Sequence, residues 1–110
     1  MAAIGSFLLG TRRAEQLRWW YEEAFAGVPA HHGGLRFGDV VLAIDERPDV
    51  LPVTPEPMRL SLAMRVPNLE ATAARLDALG TVWHGPSMVA DPDGNLVHLV
   101  VRRSRRRSGA

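Results

Sequence analysis

The sequence predicts an α+β fold made of two copies of one strand–helix–strands unit, and three observations predict it. Several short runs alternate apolar with other residues, or are apolar throughout, as strands are. Two longer runs repeat their apolar residues every three to four positions, as helices do. These runs then follow one another in the same order twice.

IGSFLLGT, Ile4 to Thr11, reads as a short buried strand. From Ala14 the period becomes helical, with Leu17, Trp20, Tyr21, Ala24 and Phe25 on one face and Arg18, Glu22 and Glu23 off it. Gly27, followed by Val28-Pro29, ends the helix. Trp19 falls outside the apolar stripe, so it is either partly exposed or covered by another subunit. A glycine-rich turn at His31-His32-Gly33-Gly34 leads to short strands at Leu35–Phe37 and Val40–Ile44 around a Gly38-Asp39 turn. RPDVLPVTPEP then places four prolines in eleven residues, which suits neither a helix nor a central strand. It reads as a connector.

The second half repeats the order. In RLSLAMRV, Leu60, Leu62, Met64 and Val66 alternate with Ser61, Ala63 and Arg65, the pattern of a half-buried strand. Asn68 is a good N-cap for a helix that carries Leu69, Ala73, Leu76 and Leu79 on one face and stops at Gly80. TVWHGPSMVA and NLVHLVV supply the closing strands, joined by the Asp91-Pro92-Asp93-Gly94 turn. An offset of about 55 lays the first strand on Leu60–Val66 and pairs Ser6 with Ser61. An offset of 56 lays the Phe37-Gly38-Asp39-Val40 turn on Asp93-Gly94-Asn95-Leu96 and pairs Leu42 with His98. Neither half buries a sheet alone, so two halves must pair, from one chain or from two.

Composition bounds the function. One hundred and ten residues make one domain. It divides into modules at about 3–47 and 58–101, with the connector at 48–57. With no cysteine there is no disulfide, thiolate metal site or cysteine nucleophile. No signal-type segment or membrane-length apolar run is present in the sequence, which makes a cytoplasmic address, without membrane association, the expectation. All thirteen basic residues are arginine, and five lie between 102 and 107. Removing those five from a formal net charge of +1 leaves the rest of the chain at −4, which argues against a nucleic-acid-binding surface. The tail, 102–110, is expected to be solvated and disordered.

Three segments together resemble the vicinal oxygen chelate superfamily of glyoxalases, bleomycin-resistance proteins and extradiol dioxygenases. They are Arg18-Trp19-Trp20-Tyr21-Glu22-Glu23-Ala24-Phe25, the strand entering a helix in RVPNLEATAARLDALG, and DPDGNLVHLV near the end. The resemblance implies paired βαβββ modules, a curved mixed sheet around a concave cavity, and helices outside. Metal-dependent members hold a divalent cation with histidine or glutamate from the first and last strands of each module. Those positions fall here at Ser6, Leu42, Ser61 and His98, and only the last is a competent ligand. A divalent site wants at least three. The expectation is therefore no metal and no cofactor, although His31, His32 or His84 joining His98 would rebuild a site.

If Ser6, Leu42, Ser61 and His98 face the concavity, strand alternation adds Ala63 and Arg65 to the ligand-binding set, with Ile4, Leu8, Val40, Ile44, Leu96 and Val100 around them. An apolar lining with a few polar handles suits a small, partly apolar molecule. The sequence thus points to a metal-free binding protein of the bleomycin-resistance type, forming a homodimer, with no catalytic residues. The alternative is a glyoxalase-like lyase or isomerase, or a dioxygenase-type enzyme, with a rebuilt metal site or His98 as acid–base. A third reading is a domain whose cavity is filled by its own side chains.

Overall fold

The computed structural model describes residues 1–101, so the arginine-rich tail lies outside the described residues. Two modules follow each other. In the first, β1 (Ser6–Thr11) leads to α1 (Ala14–Phe25), then to β2 (Val28–Pro29), a single 3-10 turn at His31–Gly33, β3 (Leu35–Phe37) and β4 (Val40–Glu46). In the second, β5 (Leu62–Val66) leads to α2 (Leu69–Ala78), β6 (Val82–Gly85), β7 (Met88–Ala90) and β8 (Leu96–Val101). The strands form two four-stranded mixed sheets, ordered β1-β4-β3-β2 and β5-β8-β7-β6. In each, the first and last strands of the module run parallel. The α+β class and the strand–helix–strands repeat are as the sequence predicts. No helix among the described residues is long and apolar enough to cross a membrane.

Each sheet packs one face on the helices, and the two helices meet over a single core. Leu17, Trp20, Tyr21 and Ala24 of α1, Leu76 of α2 and Leu35, Leu42, Val89, Val97 and Leu99 of the sheets are all buried in it. Polar contacts cross between the modules, among them an Arg13–Asp93 ion pair at 3.5 Å. Trp20 Nε1 donates to Thr81 Oγ1 at 3.1 Å, Tyr21 Oη to Asp91 Oδ2 at 2.7 Å, and Arg75 Nε to the Ala24 carbonyl at 3.2 Å. The connector is tied at both ends: Arg12 Nε donates to the Val50 carbonyl, and Thr54 N to the Asp93 carbonyl.

The helix ends differ from each other in a way the sequence only half discloses. Asn68 caps α2 as predicted, its Oδ1 accepting from Ala71 N at 3.0 Å. At α1 the capping acceptor comes from another element, because Glu46 Oε1 of β4 takes the Ala14 N–H at 2.9 Å. The residue that turns left-handed to end α1 is Ala26 (φ 56°), one before the predicted Gly27. Gly27 is needed for a different reason: a Cβ there would lie 2.6 Å from Phe37 Cζ.

Candidate ligand-binding site

Strand register decides which side chains share a face, since a slip of one residue turns every side chain over. In the second module Ala63 pairs with His98, Arg65 with Val100, and Met88 with His98. Met88, His98 and Ala63 therefore form a row across three strands on the outer face, with Arg65 two residues further along β5. Ala63, Arg65 and His98 are all exposed. The opposite face carries Leu62, Met64, Val89, Val97 and Leu99 toward the helices. The alternation read from RLSLAMRV holds.

Ser61, half-buried, donates from Oγ to the Leu96 carbonyl at 2.9 Å and so fastens the start of β5 to β8. Leu96 is itself covered by the connector, its N–H donating to the Pro57 carbonyl at 3.3 Å. Of the second-module residues, His98, Ala63 and Arg65 stand on one open face, and Ser61 sits at its margin.

In the first module the expectation for Leu42 is overturned. Ser6 pairs with Val41, while Leu42 pairs with Phe7 and Leu35. Leu42 is 3% exposed and belongs to the core beneath α1, on the face opposite Ser6. Val40 and Ile44 turn the same way as Leu42, so they leave the predicted cavity lining too. The physical reason is hairpin length. Phe37 pairs directly with Val40 across a two-residue turn, whereas β7 and β8 are separated by five residues, 91–95. Matching Gly38 to Gly94 therefore shifts the strands that follow by one position. The first and last strands of the modules instead keep the offset of 55: Ala43, beside Leu8, is the counterpart of His98, beside Ala63. The outer face of the first sheet presents Ser6, Leu8, Val41 and Ala43, with Arg36 beside Val41. Arg36 escaped the sequence reading because a three-residue strand shows no alternation to read.

The donor set does not fit a divalent cation. Ser6, Val41 or Ala43, and Ser61 stand where ligands are wanted, and His98 alone is competent. Among the described residues no three His, Asp or Glu side chains converge on a point. His31 and His32 are exposed, their rings 6.3 Å apart in the loop before β3.

The polar chemistry of DPDGNLVHLV is divided in two. His98 faces out, while Asp91 is 4% exposed and accepts from Tyr21 Oη, Asn95 Nδ2 and the backbone N–H groups of Asp93 and Asn95. Burial pushes the Asp91 carboxyl above the usual aspartate range, against the hydrogen bonds that favour its charge. Burial and the neighbouring Asp91 charge raise the Tyr21 phenol well above its usual range. This aspartate is a structural anchor for the loop.

None of the predicted ligand residues lines the cleft beside Trp19 or the one beside Arg12, Glu46 and Arg47. The first, of about 310 Å³, opens between Arg13 and Gln16 of the α1 start and Thr81, Val82 and Pro92. Trp19 is 52% exposed there. The outer sheet faces are open instead, leaving Leu8, Val82 and Val100 exposed.

No family model and no curated protein matches the sequence. Solved structures do match over nearly the whole chain. A genomically encoded fosfomycin resistance protein, FosX, from Listeria monocytogenes has a TM-score of 0.75 at 13% identity, over 94% of this chain and 95% of that one. A glyoxalase-related enzyme from Fulvimarina pelagi gives 0.71 at 23% identity, over 93% and 89%. TnmS3, an antibiotic binding protein from Streptomyces, gives 0.61 at 24% identity, over 94% and 98%. The common architecture is that of the vicinal oxygen chelate fold.

Proposed function

We propose that this chain, built on the vicinal oxygen chelate fold, is a metal-free, non-catalytic binding protein for a small, partly apolar molecule, acting as a cytoplasmic homodimer. The observation that carries the reading is the outer face of β5, β8 and β7. One histidine and one arginine stand there among Ala63, Met88 and Val100. Apolar contact with a few placed polar groups is what small-molecule sites offer. The name of one structural neighbour, an antibiotic binding protein, supports a binding role.

The face is open in one chain, and a second copy completes it. β1 and β5 each have a ladder partner on one side only, at the edges of their sheets. Ile4 and Leu8 by the first edge and Leu60 by the second are 68%, 62% and 60% exposed. Pairing the β1 edge of one copy with the β5 edge of the other satisfies both edges and covers these side chains. The two outer faces then curve around a shared concavity.

Binding is favoured over catalysis because, among the described residues, no carboxylate is bonded to His98. The strands of its sheet contain no aspartate or glutamate. Without such a partner the imidazole is held in neither tautomer nor direction.

Metal analysis of protein purified without chelator comes first; stoichiometric Zn, Fe, Mn or Ni overturns the reading. Thermal shift against aromatic and glycopeptide compounds comes second. A ligand that stabilises the wild type and no longer stabilises His98→Ala is the expected result.

A further inference from the structure

The geometry points to an anion subsite on the second sheet, formed by Arg65 and His98, so that the ligand is an organic anion with an apolar body. This assignment rests on the binding role proposed above and adds the charge of what is bound.

Four observations carry it. The first is placement. His98 lies directly across from Ala63, and Arg65 is two residues further along the same strand and on the same face. One strand spacing and two residue rises separate the two Cβ positions by about 8 Å, which a guanidinium and an imidazole bridge through one oxyanion. The second is the absence of any competing acid. LAMRV, VWHG, MVA and LVHLVV contain an arginine and two histidines and no carboxylate. The third is that nearby carboxylates have other partners. Asp77 accepts from Trp83 Nε1 at 2.8 Å, Asp91 is enclosed by Tyr21 and Asn95, and Asp93 faces Arg13 at 3.5 Å. The fourth is that, among the described residues, Arg65, like Arg18 and Arg36, makes neither an ion pair nor a side-chain hydrogen bond, whereas Arg12, Arg13, Arg47, Arg59 and Arg75 each make one or the other. An exposed arginine without a counter-ion, beside a histidine on a carboxylate-free sheet, is a place for an external oxyanion.

The chemical class follows from the surroundings. Arginine presents a planar fork that matches carboxylate, sulfonate, phosphonate or phosphate oxygens. Ala63, Met88 and Val100 border the two polar groups and give the rest of the ligand apolar contact. An aromatic or branched aliphatic body with one anionic group satisfies both halves.

Three probes that share one naphthalene body test it by calorimetry on the full chain: 2-naphthalenesulfonate, 2-naphthalenemethanol and 2-naphthylmethylammonium. The expected order is sulfonate tightest and ammonium weakest, with sulfonate about tenfold ahead of the alcohol. Arg65→Gln removes that margin without weakening the alcohol, and Arg65→Lys keeps part of it. Arg59→Gln, which deletes the same charge three residues ahead of β5, leaves it intact. Circular dichroism of each variant verifies the fold. Equal binding of sulfonate and alcohol, or a margin that survives Arg65→Gln, overturns the anion assignment while leaving a small-molecule site standing. Failure of all three probes at millimolar concentration overturns both.

Discussion

Tyr21 and Asp91 lie seventy residues apart in sequence and share a buried hydrogen bond of 2.7 Å. The phenol belongs to the helix of the first module and the carboxyl to the last loop of the second, so one contact links both. Removing the hydroxyl in Tyr21→Phe leaves a buried carboxyl short of a donor, at a cost of about 1–3 kcal/mol. Urea denaturation measures it; an unchanged midpoint and slope would show that the bond contributes nothing net.

The same pair sets a pH dependence. The folded Asp91 carboxyl titrates above its unfolded value because it is buried. The stability it contributes is therefore full below the ordinary aspartate pKa of 3.8 and is lost as pH rises through the raised value. Against non-titrating Asp91→Asn, the wild type should gain ground at about pH 3.5 relative to pH 7. Paired urea melts at the two values decide this, and a difference independent of pH would refute it.

Gly27 packs where a methyl group does not fit. Its absent Cβ would sit 2.6 Å and 2.8 Å from the Phe37 ring and 3.1 Å from Leu35 Cβ. Gly27→Ala should destabilise the protein by about 1–3 kcal/mol through overpacking. Adding Phe37→Leu should recover part of that loss, a coupling that a double-mutant cycle reads directly.

Leu42 and His98 should separate cleanly. Leu42→Ala opens the core beneath α1 and should cost about 2–5 kcal/mol, with ligand preference unchanged. His98→Ala, on an exposed position, should move stability by less than about 0.5 kcal/mol and weaken ligand binding. Thermal melts with and without a bound ligand give both numbers for each variant.

Leu8 is 62% exposed in the single chain. Leu8→Asp should leave the fold of one chain intact while shifting the assembly to monomer, and ligand binding should fall with it. Analytical ultracentrifugation beside circular dichroism follows the two effects. A dimer that survives the aspartate places the interface elsewhere.

The second module was the more legible in the sequence. RLSLAMRV alternates strictly, so the faces of Ala63 and Arg65 were plain, and Asn68 marked the helix start by its own chemistry. The first module gave less, because FLLG within β1 is apolar on both faces and β3 is three residues long. Leu42 was misplaced through a turn match that ignored a difference in hairpin length. The partners of Asp91 lay out of reach for another reason: nothing in DPDGN announces a tyrosine seventy positions earlier. Long-range polar contacts of this kind leave no period in a sequence.

The free edges differ in a respect that matters for handling the protein. β5 carries one charge, Arg65, next to its last residue and on the outer face. β1 reads SFLLGT, with neither charge nor proline, and offers its unpaired side to any extended segment that meets it. When the two copies part, β1 is therefore the edge at which association with foreign strands is expected to begin.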